Sequence, residues 1–166
     1  MATALIISQK DIKRFTAMNG SIDSDLFLQY ILIAQEIHIQ NYLGTNLLEK
    51  IQDDIIAGTL TGNYLNLVTK FVKPMLIHYA MAEYLSFAGY TISNKGVYKH
   101  SSENAETASS QDIKELISAE TRIAEHYTQR FIDFMCTNSS DYPEYNSNTS
   151  EDMNSSTDLN LSNWYI

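Results

Sequence analysis

Histidine is the residue type in this chain best suited to metal binding or to proton transfer near neutral pH. The chain has four histidines, His38, His78, His100 and His126. They match no common zinc-ligand spacing, because the sequence has no His-Glu-x-x-His or Cys-x-x-Cys pattern and because His78 and Glu83 would lie on different faces of a helix. We therefore predict structural roles for the histidines, with His38 and His78 in helices and one ring nitrogen of each satisfied.

Other reactive side chains are also predicted to be structural. Glu120 and Glu125 could form an acid–base pair, but together with Arg122 and Arg130 they are more typical of a solvated helix face. Cys136 is the only cysteine, and we expect it to fill space on an apolar helix face. The six glycines form no phosphate-binding or dinucleotide-binding motif. We expect no catalytic residue, no metal site and no cofactor.

The charge of the chain limits its partners. Its 166 residues include 11 basic and 20 acidic ones, which gives a formal net charge of −9. A protein that binds nucleic acid without sequence preference needs a surplus of Lys and Arg, so this class is disfavoured. The amino terminus lacks the pattern of a signal peptide, and no run approaches the roughly 18 apolar residues of a membrane span. We expect a soluble protein made in a cytoplasm.

Helical periodicity dominates the sequence and predicts an all-α bundle. Two capping boxes, Ser8 to Asp11 and Ser109 to Asp112, indicate the starts of the first and last helices. Pro74 should kink or restart the fourth helix, because proline lacks the backbone donor and clashes with the carbonyl four residues earlier. The five predicted helices cover approximately residues 8–19, 23–41, 45–58, 62–85 and 109–136.

The second predicted helix is apolar around more than half of its circumference. Such a helix must be buried on most sides, which a single core of this size can rarely achieve. Part of its surface is therefore predicted to contact another subunit. The residues predicted for this interface are Leu26, Tyr30, Ile31, Ile33 and Ile37.

The segment from residue 90 to residue 108 has little helical pattern. A turn signal at its centre predicts a long loop or a short hairpin, and long loops within compact domains are often functional. We predict that this segment projects into a channel or toward an acidic partner, with an ordinary solvated loop as the alternative. The candidate residues are Asn94, Lys95, Gly96, Tyr98 and Lys99.

Composition divides the chain into a helical domain, residues 1–137, and an acidic tail, residues 138–166. The tail is rich in Ser, Asn and Thr and has no basic residue, so we predict that it is extended and forms no core of its own. Its end is apolar and aromatic again, which is typical of an anchor for a partner. The predicted anchor residues are Leu159, Leu161, Trp164, Tyr165 and Ile166.

An ordered series of short motifs runs through residues 8–137. The series consists of Asp11-Ile-Lys-Arg-Phe15, Tyr42-Leu43-Gly44, Leu47 to Ile51, Thr59-Leu60-Thr61, Asn63-Tyr64, Lys73-Pro74-Met75-Leu76 with Tyr79, Glu83 and Leu85, Ser93-Asn94-Lys95-Gly96-Val97, Ser101-Ser102-Glu103-Asn104, and a long helix holding Tyr127, Arg130 and Phe131. In this order and spacing the chain resembles the head–tail connector proteins of tailed bacteriophages, in particular the short helical ones from phages of Bacteroidales, including the crAss-like group.

The resemblance implies a structural virion protein without enzymatic activity. Proteins of this family are helical bundles that form a ring beneath the portal, usually twelvefold, which joins head to tail and extends the DNA channel. The implied partners are other copies of the chain, the portal protein, further neck or tail ring proteins, and genomic DNA that passes without specific binding. The implied location is the virion neck, assembled in the host bacterial cytoplasm and without membrane contact.

Two other classes stay open from the sequence. A small helical regulatory or partner-binding module without ring assembly would stay monomeric and bind one soluble partner through the Trp164 end. An enzyme whose site is assembled between subunits would co-purify with a metal or a cofactor.

Overall fold

The five predicted helices are present and form an all-α bundle with a short hairpin. The computed structural model describes residues 3–18, 25–88, 90–93, 96–99 and 108–158, without the side chains of residues 26, 91–93 and 96–99. The elements, in chain order, are α1 (Gln9–Phe15), α2 (25–43), α3 (Thr45–Ala57), α4 (62–87), β1 (Tyr90–Ser93), β2 (Gly96–Lys99) and α5 (Ser110–Asn138).

Both predicted capping boxes begin their helices. The amide of Ser8 donates to the Asp11 carboxylate at 2.8 Å, and the amide of Ser109 donates to the Asp112 carboxylate, also at 2.8 Å. These bonds pair polar groups at the helix start that have no partner within the helix. The Ser109 bonds lower the pKa of the Asp112 carboxyl. Burial acts to raise the pKa of Asp11, but the bonds from Ser8 and the positive charges of Lys73 and Arg14 together outweigh it, and the net shift is downward.

Two of the long helices contain a π-helical turn. These turns are Gln35–Ile39 in α2 and Val68–Val72 in α4. The second turn ends two residues before Pro74. Proline has no backbone N–H to donate, and the longer hydrogen bonds of a π-helical turn, between residues i and i+5, accommodate the missing donor. The α-helical pattern restarts at Lys73, which is one of the two outcomes predicted for this helix. An angular kink at Pro74 stays a prediction.

α4 is the central helix of the bundle. It packs against both α2 and α5, and residues 75–77 and 79–82 are all buried. Side chains in such a run point to all sides of a helix, so α4 is enclosed on most of its circumference. None of the described helices is both long and apolar enough to cross a bilayer. The core is built mainly from Phe27, Ile31, Leu43, Leu47, Ile51, Leu67, Met75, Leu76 and Phe131.

A short antiparallel hairpin lies between α4 and α5, which confirms one of the two forms predicted for the segment around residues 90–108. Its register pairs Tyr90 with Lys99 and Ser93 with Gly96. In the described part of the chain, the strands pair with each other and make few contacts with the helices. The hairpin is therefore an appendage of the bundle.

The chain before α1 is held against the bundle by Gln35. The side-chain carbonyl of Gln35 accepts from the amide of Ile6 at 3.0 Å, and its side-chain amide donates to the carbonyl of Ala4 at 3.0 Å. Gln35 is fully buried and provides the pair of bonds that a neighbouring β-strand would give this segment. Ile6 and Ile7 consequently reach the core.

The segment after α5 packs on the bundle, so the predicted domain boundary at residue 137 is wrong. Two 3-10 turns, Ser139–Asp141 and Pro143–Asn146, follow α5. Tyr142 and Tyr145 belong to the same core as the helices, and the hydroxyl of Tyr142 donates to the carbonyl of Asn63 at 3.2 Å. The helical domain therefore includes this segment.

The chain then runs beside the junction of α2 and α3. The amide of Thr45 donates to the carbonyl of Met153 at 2.9 Å, and the amide of Ser156 donates to the carbonyl of Asn41 at 2.9 Å. The composition of this segment predicts an extended tail because it contains few apolar residues. It is held instead by hydrogen bonds and two tyrosines, which composition does not reveal.

Candidate functional site

One flank of α2 carries apolar side chains that the bundle leaves uncovered. Ile37 is 59% exposed, and Tyr30 and Ile33 are half-buried. Together with Leu26, whose side chain lies outside the described set, they follow one another at spacings of four, three and four. That spacing forms one stripe along a helix, of the kind through which helices pack on each other. We call Tyr30, Ile33 and Ile37 the α2 flank.

Ile31 does not belong to this flank. It is fully buried, as are Ala34 and, almost completely, Phe27, and these three face the core at spacings of four and three. The prediction that Ile31 contacts another subunit is therefore wrong, because its own subunit already encloses it. An apolar sequence around most of a helix does not tell which part faces the core of the same chain.

Aromatic rings extend the α2 flank toward the end of α4. The ring of Tyr30 stacks on Phe87 with centroids 5.9 Å apart and meets Tyr84 edge-on at 5.6 Å. Phe87 is itself 50% exposed. The uncovered apolar surface thus spans two helices, and surfaces of this kind are typical of protein interfaces.

A cleft of about 350 Å³ lies beside the α2 flank, between α2, α4 and α5. Its apolar walls include Ile37 from α2 and Ile117 from α5. Glu83 and Glu125 bring two carboxylates to it, and no described Lys or Arg lines it. We call it the acidic cleft.

His38 joins two walls of the acidic cleft. Its Nε2 lies 2.8 Å from Oε1 of Glu83, and its ring stacks on Tyr79 with centroids 4.1 Å apart. Burial raises the pKa of Tyr79, so this phenol stays neutral. Glu125, by contrast, forms no ion pair or hydrogen bond with any other described residue. A His–Glu pair in a cleft can transfer protons, but here it links α2 to α4.

His78 makes the corresponding link between α4 and α5. Its Nδ1 lies 2.7 Å from Oε2 of Glu120, and its ring is parallel to that of Tyr127 at 5.9 Å. The prediction that His38 and His78 each have one satisfied nitrogen is confirmed. Glu120 pairs with His78 and is not part of a solvated face, and Cys136 is exposed and not in the core, so both of those predictions are wrong.

The side chains that could bind metal are dispersed over the bundle. Within the described ranges, no group of three His, Cys, Asp or Glu residues is arranged to hold a metal ion.

A second pocket lies between α1, α4 and α5 and is lined by Arg14 and Lys73. Its Asp11 carboxylate is already bonded by Ser8. The guanidinium of Arg14 lies 5.6 Å from the ring centroid of Phe15, which is 58% exposed. Arg14 is exposed and forms no ion pair with a described carboxylate. We call Arg14 and Phe15 the α1 tip.

The predicted loop candidates are only partly described. Gly96, Tyr98 and Lys99 lie in β2, whereas Asn94 and Lys95 lie outside the described residues. The structure thus places three of the five candidates on the hairpin.

The predicted tail anchor lies entirely outside the described residues. The described chain ends at Asp158, two residues after Ser156 bonds to Asn41. Asn41 also lines the acidic cleft. The anchor residues concerned are Leu159, Leu161, Trp164, Tyr165 and Ile166.

Sequence reasoning missed the acidic cleft, the α1 tip and the role of Gln35. A glutamine inside an otherwise apolar helix is a signal for a buried polar group with specific partners. An Arg-Phe pair at the end of a short helix is a weaker signal for an exposed contact. The cleft has no local signal, because three separate helices form it.

Residues 39–155 match a family described as "Family of unknown function (DUF6712)". The chain belongs to this family. The matched region contains α3, α4, α5 and most of the packed segment after α5, which agrees with one domain that continues past residue 137. No curated protein and no solved structure matches the chain.

Proposed function

We propose that the protein is a ring subunit in the neck of a tailed bacteriophage. In this role, copies of the chain assemble beneath the portal, join the head to the tail and extend the DNA channel. The proposal starts from the resemblance of its motifs to head–tail connector proteins. The α2 flank, the hairpin and the net charge each support it.

The α2 flank is the observation that carries the proposal. Ile37 is 59% exposed on α2, and its neighbours Tyr30 and Ile33 lie on the same stripe. Apolar surface of this kind gains free energy when a second protein covers it. A neighbouring copy would provide such a cover, and contacts between two different surfaces of identical subunits generate a ring when the rotation between copies closes.

The hairpin supports the same function. It lies between the two longest helices and makes few contacts with them among the described residues. In a ring, such an appendage would line the channel or contact the next ring. Its basic residues, Lys95 and Lys99, would then face DNA or an acidic partner, with Asn94, Gly96 and Tyr98 beside them.

The net charge suits a channel through which DNA must move. Each subunit contributes a formal −9, so a ring of subunits, twelve in the family pattern, would surround the channel with negative charge. Phosphates would be repelled overall, which favours passage of the genome without tight binding.

The anchor residues complete the proposal. Leu159, Leu161, Trp164, Tyr165 and Ile166 form an apolar and aromatic group, and residues of this type dominate the binding energy of many interfaces. We propose that they bind the portal or a neighbouring ring protein.

The proposal is tested by a single charge placed on the α2 flank. Ile37→Asp should weaken assembly with portal at least roughly tenfold, because a carboxylate would have to be desolvated in the interface. Ile56→Asp is the matched control, since Ile56 on α3 is 56% exposed but lies away from the flank. Assembly is measured by sedimentation and by imaging of mixtures with portal.

Two results would argue against the proposal. Normal rings from Ile37→Asp would show that the α2 flank is not the interface. A wild-type protein that stays monomeric with portal, and binds one soluble partner instead, would favour the partner-binding module.

A further inference from the structure

We propose that neighbouring copies join head to tail, with the α1 tip of one copy seated in the acidic cleft of the next. This inference rests on the proposed ring function and names the contact that would close the ring. It comes from two features of opposite charge, both within the described part of the chain.

No Lys or Arg of the described chain lines the acidic cleft. Glu125 is half-buried and has no ion-pair or hydrogen-bond partner among the described residues. Among the described residues, His38 is the hydrogen-bond partner of Glu83. A partly desolvated carboxylate without a counter-charge is unfavourable, and a guanidinium is a particularly good partner for it.

The α1 tip has the complementary properties. Arg14 is exposed, and its guanidinium carbon lies 5.6 Å from the ring centroid of Phe15. The positive charge and the aromatic ring are therefore neighbours on the same surface. Phe15 is 58% exposed, which is costly for a large aromatic unless a partner covers it. Arginine and aromatic residues are also enriched at the centres of protein interfaces.

The two features match in both charge and polarity. The guanidinium of Arg14 would meet Glu125, while the ring of Phe15 would cover the apolar walls formed by Ile37 and Ile117. The same contact would therefore cover part of the α2 flank. A single contact would therefore pair the Glu125 carboxylate and cover exposed apolar surface of the α2 flank.

In its own chain, the α1 tip and the acidic cleft lie on opposite sides of α4. The pocket at the tip is lined by Lys73 and Ile77 and the cleft by Tyr79 and Ser86, all on the α-helical part of α4. At about 100° per residue, Ile77 and Tyr79 point to opposite faces of that helix. The contact is therefore assigned to two copies, and a contact between two different surfaces generates a ring or a filament.

Charge reversal on each side provides the test. Arg14→Glu and Glu125→Arg should each weaken self-association at least roughly tenfold, because each places two like charges in contact. The double variant should restore assembly. A mixture of the two single variants should also assemble, because Glu at 14 of one chain would meet Arg at 125 of the other, and the native pair would form at the next contact.

Matched controls separate this contact from a general effect of charge. Lys10→Glu and Glu115→Arg make the same changes at exposed positions on α1 and α5 that line neither pocket. Both should assemble as the wild type does. Circular dichroism of all variants should show unchanged helical content.

The possible results distinguish this contact from the proposed function. Single variants that assemble normally, or a double variant and a mixture that both fail although folded, would overturn the contact while leaving portal binding intact. Copies that associate through this contact but never bind portal would overturn the function and leave the contact. A wild type that is monomeric at all concentrations, both alone and with portal, would overturn both.

Discussion

Gly44 is a residue on which the packing of the carboxyl-terminal segment depends. It lies at the junction of α2 and α3 with a φ of +76°, and a Cβ at this position would lie 2.9 Å from the backbone nitrogen of Ser155. A side chain here would therefore meet both an unfavourable backbone conformation and another part of the backbone. Only glycine satisfies both conditions without strain.

Two glycine substitutions compare these effects. Gly58 has a φ of +67° and a ψ of 25°, in the left-handed helical region, and a Cβ added there would have no other atom within 4 Å, so Gly58→Ala should lower the free energy of unfolding by about 1 kcal/mol. Gly44→Ala should cost at least about 1 kcal/mol more, because its ψ of 159° lies in a region that only glycine adopts readily and because residues 153–156 must also move. Urea denaturation of both variants measures the difference. Equal losses would show that neither the ψ of Gly44 nor the close approach of Ser155 adds to the cost.

At the scale of elements, the segment after α5 differs most from what its composition suggests. Tyr142 and Tyr145 are buried in the core, and Asp152 accepts a hydrogen bond from the Thr45 hydroxyl at 2.9 Å. These contacts connect the segment to the start of α3. The segment is therefore a structural part of the domain, and an anchor function is left only to the residues beyond Asp158.

Two truncations test this division. A chain that ends at Asn138 should lose roughly 3 kcal/mol or more of stability, because two buried tyrosines are removed. A chain that ends at Asp158 should unfold like the full-length protein but bind portal more weakly, because the anchor is missing. Urea denaturation and portal pull-down measure the two properties. Full stability of the shorter chain, or full portal binding by the longer one, would contradict the respective half of this prediction.

The helices could be predicted from the sequence because their signals are local. The Ser8–Asp11 and Ser109–Asp112 boxes fix two helix starts, and the apolar period defines the rest. The orientation of α2 could not be predicted, since Ile31 and Ile37 are chemically equivalent and only packing against other helices distinguishes them. The packing of a polar segment on Thr45 likewise depends on tertiary hydrogen bonds that no local pattern encodes.

The candidate site was predictable only in part for the same reason. Tyr30, Ile33 and Ile37 form one stripe because of their spacing, and this could be read from the sequence. The acidic cleft requires α2, α4 and α5 to converge, and Glu83 and Glu125 are far apart in the chain. Its existence follows from the tertiary structure alone.

At the scale of the whole molecule, the described residues form a packed bundle with several apolar or charged surfaces on its outside. α4 is enclosed, and the His38 and His78 pairs link it to α2 and α5. The α2 flank, the acidic cleft, the α1 tip and the hairpin remain on the outside. A small structural protein that functions by assembly has this distribution, since its binding energy must come from surfaces that the monomer leaves uncovered.

The most direct test of the proposed ring function is imaging of the wild-type protein mixed with a portal protein encoded in the same genome. We expect a ring of this protein on the tail-facing side of the portal, with a central channel and with copies in head-to-tail contact. Class averages that show the portal alone, while the protein sediments separately as a folded monomer, would contradict the ring function.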